Sequence, residues 1–233
     1  MTSLKKNFIY NVVYQMLLII LPLITAPYIA RTLGAEGVGI YSYTYSVAQY
    51  FLLFAMLGIS NHGNRSIAAV REDDCKLSRT FWSIYSIQAF MYVLAIIAYL
   101  IYLFAFNVDN KTIVAIQFIY VVSGALDISW YFFGTEQFKI TVTRNMIIKI
   151  ATVILMFIFV HNPGDLAKYT VIMAGGTFLS QAYLWTYIFR QVDVVKVNWI
   201  DIKKHIKEVI ILFIPVIAYS IYKLMDKIML GNM

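Results

Sequence analysis

Residues 80–108 read TFWSIYSIQAFMYVLAIIAYLIYLFAFNV, and not one of them is charged. At a helical rise of 1.5 Å per residue, about 20 apolar residues cross the ~30 Å hydrocarbon core of a bilayer. This stretch exceeds that length without interruption. A transmembrane barrel strand would instead alternate apolar and polar residues over ~10 positions. The sequence therefore predicts a membrane-spanning helix, and its neighbours repeat the pattern.

Working outward, Phe8 to Ala30, Val38 to Gly63 and Tyr169 to Phe189 are equally clear. Three further runs contain charge: Thr112 to Gly134 holds Asp127, Thr141 to Val160 holds Arg144 and Lys149, and Val209 to about Gly231 holds Lys223, Asp226 and Lys227. The fold class expected is all-α and integral to the membrane, a polytopic bundle of about seven transmembrane helices. Composition agrees, with 61% hydrophobic and 13% charged residues, against roughly 45–50% and about 25% in soluble domains. The basic start resembles a secretory signal, but its apolar part is too long and more spans follow.

With Arg144 and Lys149 counted near the start of their run, fourteen of the nineteen lysines and arginines fall before the first run or at alternate connections after it. The positive-inside bias then places the amino terminus in the cytoplasm. The net charge of +7 is thus a topological signal and not a nucleic-acid surface. On the other side the connections TLGAEG, NVDNKT and HNPGDLAK are too short to hold a catalytic domain. The longer connections NRSIAAVREDDCKLSR and RQVDVVKVNWIDIKKHIKE have the size and charge of amphipathic surface helices. Within the first of them, Glu72-Asp73-Asp74 balances its basic neighbours.

Several classes of function drop out. No phosphate-binding glycine loop of the Walker type is present, so no nucleotide cofactor is expected. Cys75 is the single cysteine, and His62, His161 and His205 lie in three separate connections, which argues against a disulfide framework or a metal site.

An ionisable residue inside a span costs ~2.5–3.5 kcal/mol on insertion scales, so it normally faces a partner or a water-filled cavity. Counting back from Gly134 places Asp127 ~10 Å deep, and counting on from Thr141 places Lys149 ~12 Å deep. The two are expected to pair, or to line one cavity, on neighbouring helices. Lys223, Asp226 and Lys227 share one helical face, and Arg31 sits at the far end of the first span. These cations are candidate anion contacts. Pro22, Pro27, Gly175, Gly176 and Pro215 mark bends or close packing. The first and last runs share a proline after a hydrophobic residue and a basic residue before Leu-Gly, the outline of a repeat beginning again.

The segments LITAPYIARTLGAEGVGIYSYTYSVAQYF, NHGNRSIAAVR, LDISWYFFGTEQFKITVTRN and YKLMDKIMLG together resemble the Wzx-type polysaccharide flippases. That superfamily also includes multidrug exporters and the lipid II flippase. The resemblance runs the length of the chain and is most specific from Asp127 to Asn145. It implies two six-helix lobes, of which this chain supplies residues 1–190 as the first, 191–208 as a cytoplasmic amphipathic linker, and 209–233 as the first helix of a truncated second lobe. It also implies export of undecaprenyl-pyrophosphate-linked oligosaccharide across the cytoplasmic membrane, for O-antigen, capsule or exopolysaccharide synthesis. Arg31, Lys149, Lys223 and Lys227 would hold the pyrophosphate. Asp127 and Asp226 would couple or gate, Asp127 by holding and releasing Lys149 as it exchanges a proton.

Trp130, Gly134, Glu136 and Phe138 match the family motif, whereas Phe133 stands where members often carry glutamine. The implied partners are the lipid-linked glycan, a coupling H+ or Na+, and the polymerase and chain-length proteins of the pathway. The alternative reading is a cation-coupled multidrug exporter of the same fold, which should line its cavity with carboxylates and aromatics. A membrane enzyme such as a polymerase would need a large outer loop, and none is present.

Overall fold

The computed structural model describes the backbone of residues 2–231 and the side chains of residue 16 and residues 19–217. The calls on Lys223, Asp226 and Lys227 concern side chains outside those described residues. Every regular element described is helical. They are α1 (Thr2–Met56), α2 (Ile59–Val70), α3 (Asp74–Ala105), α4 (Lys111–Ala125), α5 (Ser129–Gly134), α6 (Phe138–Phe159), a 3-10 turn (Pro163–Asp165), α7 (Leu166–Ile188) and α8 (Trp199–Gly231).

Two of the expected spans are joined in α1. Its one non-helical position is Gly34, with φ 71° and ψ 174°, a backbone state that glycine adopts without a Cβ penalty. The prolines at 22, 27 and 215 are carried within helices, the first two in α1 and the third in α8. The break that separates two spans is therefore at a glycine. The expected span Val38 to Gly63 stops at Met56, because Leu57 turns to φ 47° and α2 begins at Ile59 as a separate helix.

Long apolar helices account for the membrane character. Among the described residues three stretches are long and apolar enough to cross a bilayer, Asp74–Ala105, Lys111–Gly134 and Phe138–Phe159. Their outward faces are bare hydrocarbon: Phe104 is 71% exposed and Ile158 55%. A surface of that kind is stable only against lipid. The chain is an all-helical, multi-pass membrane protein.

The core forms three clusters. In the first, Ile67 of α2, Phe81 and Ile84 of α3, Trp130, Tyr131 and Phe132 of α5, and Leu184 of α7 pack together. The second joins Ala48 of α1 to Tyr92 and Tyr99 of α3 and Val121 of α4. The third joins Ile29 and Leu33 of α1 to Met156 of α6 and Val160 just after it. Large aromatic rings fill the first cluster, with the Phe81 ring 5.4 Å from both Trp130 and Tyr131. The sequence predicts an interfacial belt from residues 130–133; instead Trp130, Tyr131 and Phe132 are core, and Phe133 alone is exposed.

The segment NRSIAAVREDDCKLSR, expected as a surface helix, is divided between the end of α2 and the start of α3, and Ile67 of α2 is packed against protein. A Cβ on Gly63 would lie 2.6 Å from the Trp130 ring, and one on Gly134 would lie 2.7 Å from Ile67, so α2 and α5 touch nearly backbone to backbone.

The adjacent glycines of α7 test this packing directly. A Cβ on Gly176 would approach Thr152 of α6 to 2.3 Å, whereas one on Gly175 meets nothing within 4 Å. Gly176→Ala should lower stability by ~1–3 kcal/mol through overpacking, while Gly175→Ala should be neutral or gain up to ~1 kcal/mol of helix propensity. Thermal unfolding of the two variants in detergent micelles measures the contrast; equal midpoints would contradict the α6–α7 contact.

Candidate functional site

The expected unbroken helix from Thr112 to Gly134 is interrupted where its charge lies. Helix α4 stops at Ala125 and α5 starts at Ser129. Asp127 sits in the gap, and its Oδ1 accepts hydrogen bonds from the Ser129 backbone N–H at 3.0 Å and the Ser129 hydroxyl at 2.6 Å. An aspartate that bonds the backbone two residues on favours a turn over a continued helix. The charge creates the break that holds it.

Breaking a helix releases carbonyls that are costly to bury unpaired. Here backbone N–H groups meet those of Ser123 and Ile128, and side chains of neighbouring helices meet those of Leu126 and Asp127. Gln88 of α3 donates its amide to the Asp127 carbonyl at 2.8 Å, and its oxygen accepts from the Trp130 indole at 2.9 Å. Trp185 of α7 donates to the Leu126 carbonyl at 3.0 Å. Gln88 is fully buried, so these bonds form in a low-dielectric interior.

The break opens onto a cavity of about 600 Å³ bounded by α1, α2, α3, α4, α7 and α8. Its polar lining includes Tyr45, Gln49, Asn61, Ser123, Asp127 and Gln181. Among the described residues lining it, Asp127 carries the one carboxyl group, and no lysine or arginine contributes. The wall is rich in amides and hydroxyls, groups that can donate to and accept from a polyol.

A second hollow of about 290 Å³ lies between α6 and α7, lined by Asn145, Lys149, Thr152, Thr177, Ser180 and Gln181 among others. Thr177 and Gln181 line both hollows, so α7 forms a shared wall. The expected Asp127–Lys149 ion pair is not formed. Asp127 Oδ1 is taken up by its bonds to Ser129, while Lys149 lines the second hollow and not the first. Arg144, also at this end of α6, is buried and donates to the Ser180 carbonyl at 2.9 Å, to Gln181 Oε1 at 3.2 Å and to Asn145 Oδ1 at 2.8 Å.

The remaining expected positions separate from these hollows. Arg31 is exposed and lines neither. Glu136 forms an ion pair with Arg71, tying the α5–α6 turn to the end of α2, and it takes φ 58° there. Trp130 and Gly134 are packing positions, as above. Phe138 is exposed, its ring 5.8 Å from that of Phe133. Sequence reasoning missed Gln88 and Gln181, and gave Arg144 no role. The available signal was a neutral amide in a charge-free span, which needs a partner much as a charge does.

A family model described as "Polysaccharide biosynthesis protein" matches residues 4–233. A curated relative from Escherichia coli (strain K12), named "Putative O-antigen transporter", is 28% identical over 243 aligned positions that take in 98% of this chain. The chain spans 56% of that relative's length. No solved structure matches the chain.

The break can be probed from both ends. Gln88→Leu leaves the Trp130 indole and the Asp127 carbonyl without partners, each worth ~1–3 kcal/mol when buried. It should unfold several degrees earlier than the parent. Asp127→Asn retains an accepting Oδ1 and should keep parental stability, while Asp127→Ala loses the cap at ~1 kcal/mol. Equal thermal midpoints for Asn and Ala at 127 would show that the turn does not depend on this side chain.

Proposed function

This chain belongs to the polysaccharide biosynthesis protein family, and we propose from that premise that it forms the first lobe, with the opening helix of the second, of a lipid-linked oligosaccharide flippase. In this reading seven spans cross the cytoplasmic membrane with the amino terminus inside. The protein carries out no bond-making chemistry. The cargo is a glycan on undecaprenyl pyrophosphate, moved by alternating access between two lobes, with H+ or Na+ as the coupling ion.

One observation carries the reading: a hydroxyl- and amide-rich cavity with one carboxylate and no cation lies beside a hollow holding Lys149, and α7 is their common wall. The two hollows suit the two polar parts of the cargo. Sugars offer hydroxyls to amides, tyrosines and the Asp127 carboxylate. A pyrophosphate needs a cation, and Lys149 supplies a point charge. In this assignment Asp127 serves the glycan; its earlier expected role of holding Lys149 is set aside because the two do not touch. Arg31, Lys223, Lys227 and Asp226 keep their proposed parts only in a full two-lobe cavity.

A second reading is favoured by the same lining. A carboxylate with Tyr45 and Tyr120 and no cation also suits an organic cation, as a multidrug exporter of this fold would require.

Fluorescence titrations of the purified protein separate the two. We expect Lys149→Gln to weaken binding of undecaprenyl pyrophosphate about tenfold, the scale of one charge-assisted hydrogen bond, and to leave binding of free oligosaccharide unchanged. Asp127→Asn should do the reverse. Tight, Asp127-dependent binding of tetraphenylphosphonium with no oligosaccharide binding would establish the exporter reading instead.

A further inference from the structure

Half of the first ten residues of α8, 199–208, are charged: Asp201, Lys203, Lys204, Lys207 and Glu208. This segment lies outside the apolar span that begins at Val209, and it packs on α2 and α3. The contact is close. A Cβ on Gly58, in the turn between α1 and α2, would lie 2.3 Å from the Val209 carbonyl.

Two histidines from separate connections meet at this contact. His62 Nε2 of α2 is 2.8 Å from His205 Nδ1 of α8, and His62 Nδ1 is 3.0 Å from Glu208 Oε2. Ser66 Oγ lies 3.3 Å from His62 Nε2. His62 is buried, while Glu208 is largely exposed, so the cluster is reachable by protons from the aqueous side. The charged groups acting on the pair are Arg65 from α2 and Asp201, Lys204 and Glu208 from α8.

Counting protons fixes how the cluster responds. With both rings neutral, His62 Nδ1–H donates to Glu208, so His62 Nε2 must accept from His205 Nδ1–H. One added proton is tolerated, because His62 can become the donor to a His205 of the other tautomer. A second places two N–H groups and two cations face to face at 2.8 Å. We propose that His62, His205 and Glu208 form a proton-operated clasp that holds the start of α8 on the first lobe and releases it in acid.

The direction follows from burial, which disfavours the charged form of both rings; the charge of His62 further lowers His205. A base held below its ordinary value binds fewer protons when clasped. The clasp is therefore at full strength above the ordinary histidine pKa of ~6.5 and weakens as pH falls below it. Release matters because α8 also walls the large cavity through Val216.

The test uses spin labels at Ala69→Cys on α2 and Lys207→Cys on α8, with Cys75→Ser, in phospholipid vesicles. Pulsed electron–electron distances between pH 8 and pH 5 should show one short population at pH 8. A longer population should grow below pH ~6.5, its ratio to the short one rising by up to about tenfold per pH unit for each proton taken up. His205→Gln, which keeps a polar side chain but cannot titrate, should flatten that response. A distance distribution in the parent that does not change from pH 8 to pH 5 would overturn the clasp. So would an unaltered pH response in His205→Gln.

Discussion

A single buried amide, Gln88, makes it physically tolerable for the chain to stop being helix inside an apolar bundle. It donates to the Asp127 carbonyl and accepts from the Trp130 indole, so it satisfies the end of one helix and positions the next. Without it the gap at residues 126–128 would expose polar backbone to hydrocarbon. With it, the gap becomes a fixed kink that presents a carboxylate to a cavity.

Much of the surrounding architecture follows from that kink. The short α5 can lie flat against α2 only because Gly63 and Gly134 let the two backbones approach, with the Trp130 ring over Gly63. The turn after α5 is then held by the Arg71–Glu136 ion pair. The residues that most resemble the flippase motif are therefore mainly builders of this corner. The groups facing the hollows, Gln49, Gln181 and Lys149, come from α1, α7 and α6 around it.

The helical class and the long apolar spans were legible in the sequence because hydrocarbon imposes a length and excludes charge, and residues 80–108 meet both demands. The clean separation of spans was less so. The break at Gly34 falls inside the expected connection TLGAEG, whereas the one at Leu57 comes before the expected end at Gly63 and carries no proline or charge. Asp127 was singled out by its charge, yet its depth was inferred from an unbroken helix. An aspartate followed two residues on by serine is also a turn signal, and here the turn won. Lys149 was matched to Asp127 by depth alone, and depth does not say which hollow each residue faces. The partnership of His62 with His205 was out of reach, since 143 positions separate them.

On the proposed function, the carboxylate, amides and hydroxyls of the larger cavity hold the sugars of a lipid-linked cargo, and Lys149 supplies the cation for its phosphates from the neighbouring hollow. The most direct measurement is thiol accessibility at the cavity wall, using Gln49→Cys with the native Cys75 replaced by serine. The account predicts that a water-soluble maleimide labels this cysteine and that saturating lipid-linked oligosaccharide protects it. A thiol that never reacts, or one whose labelling the cargo leaves unchanged, would contradict it.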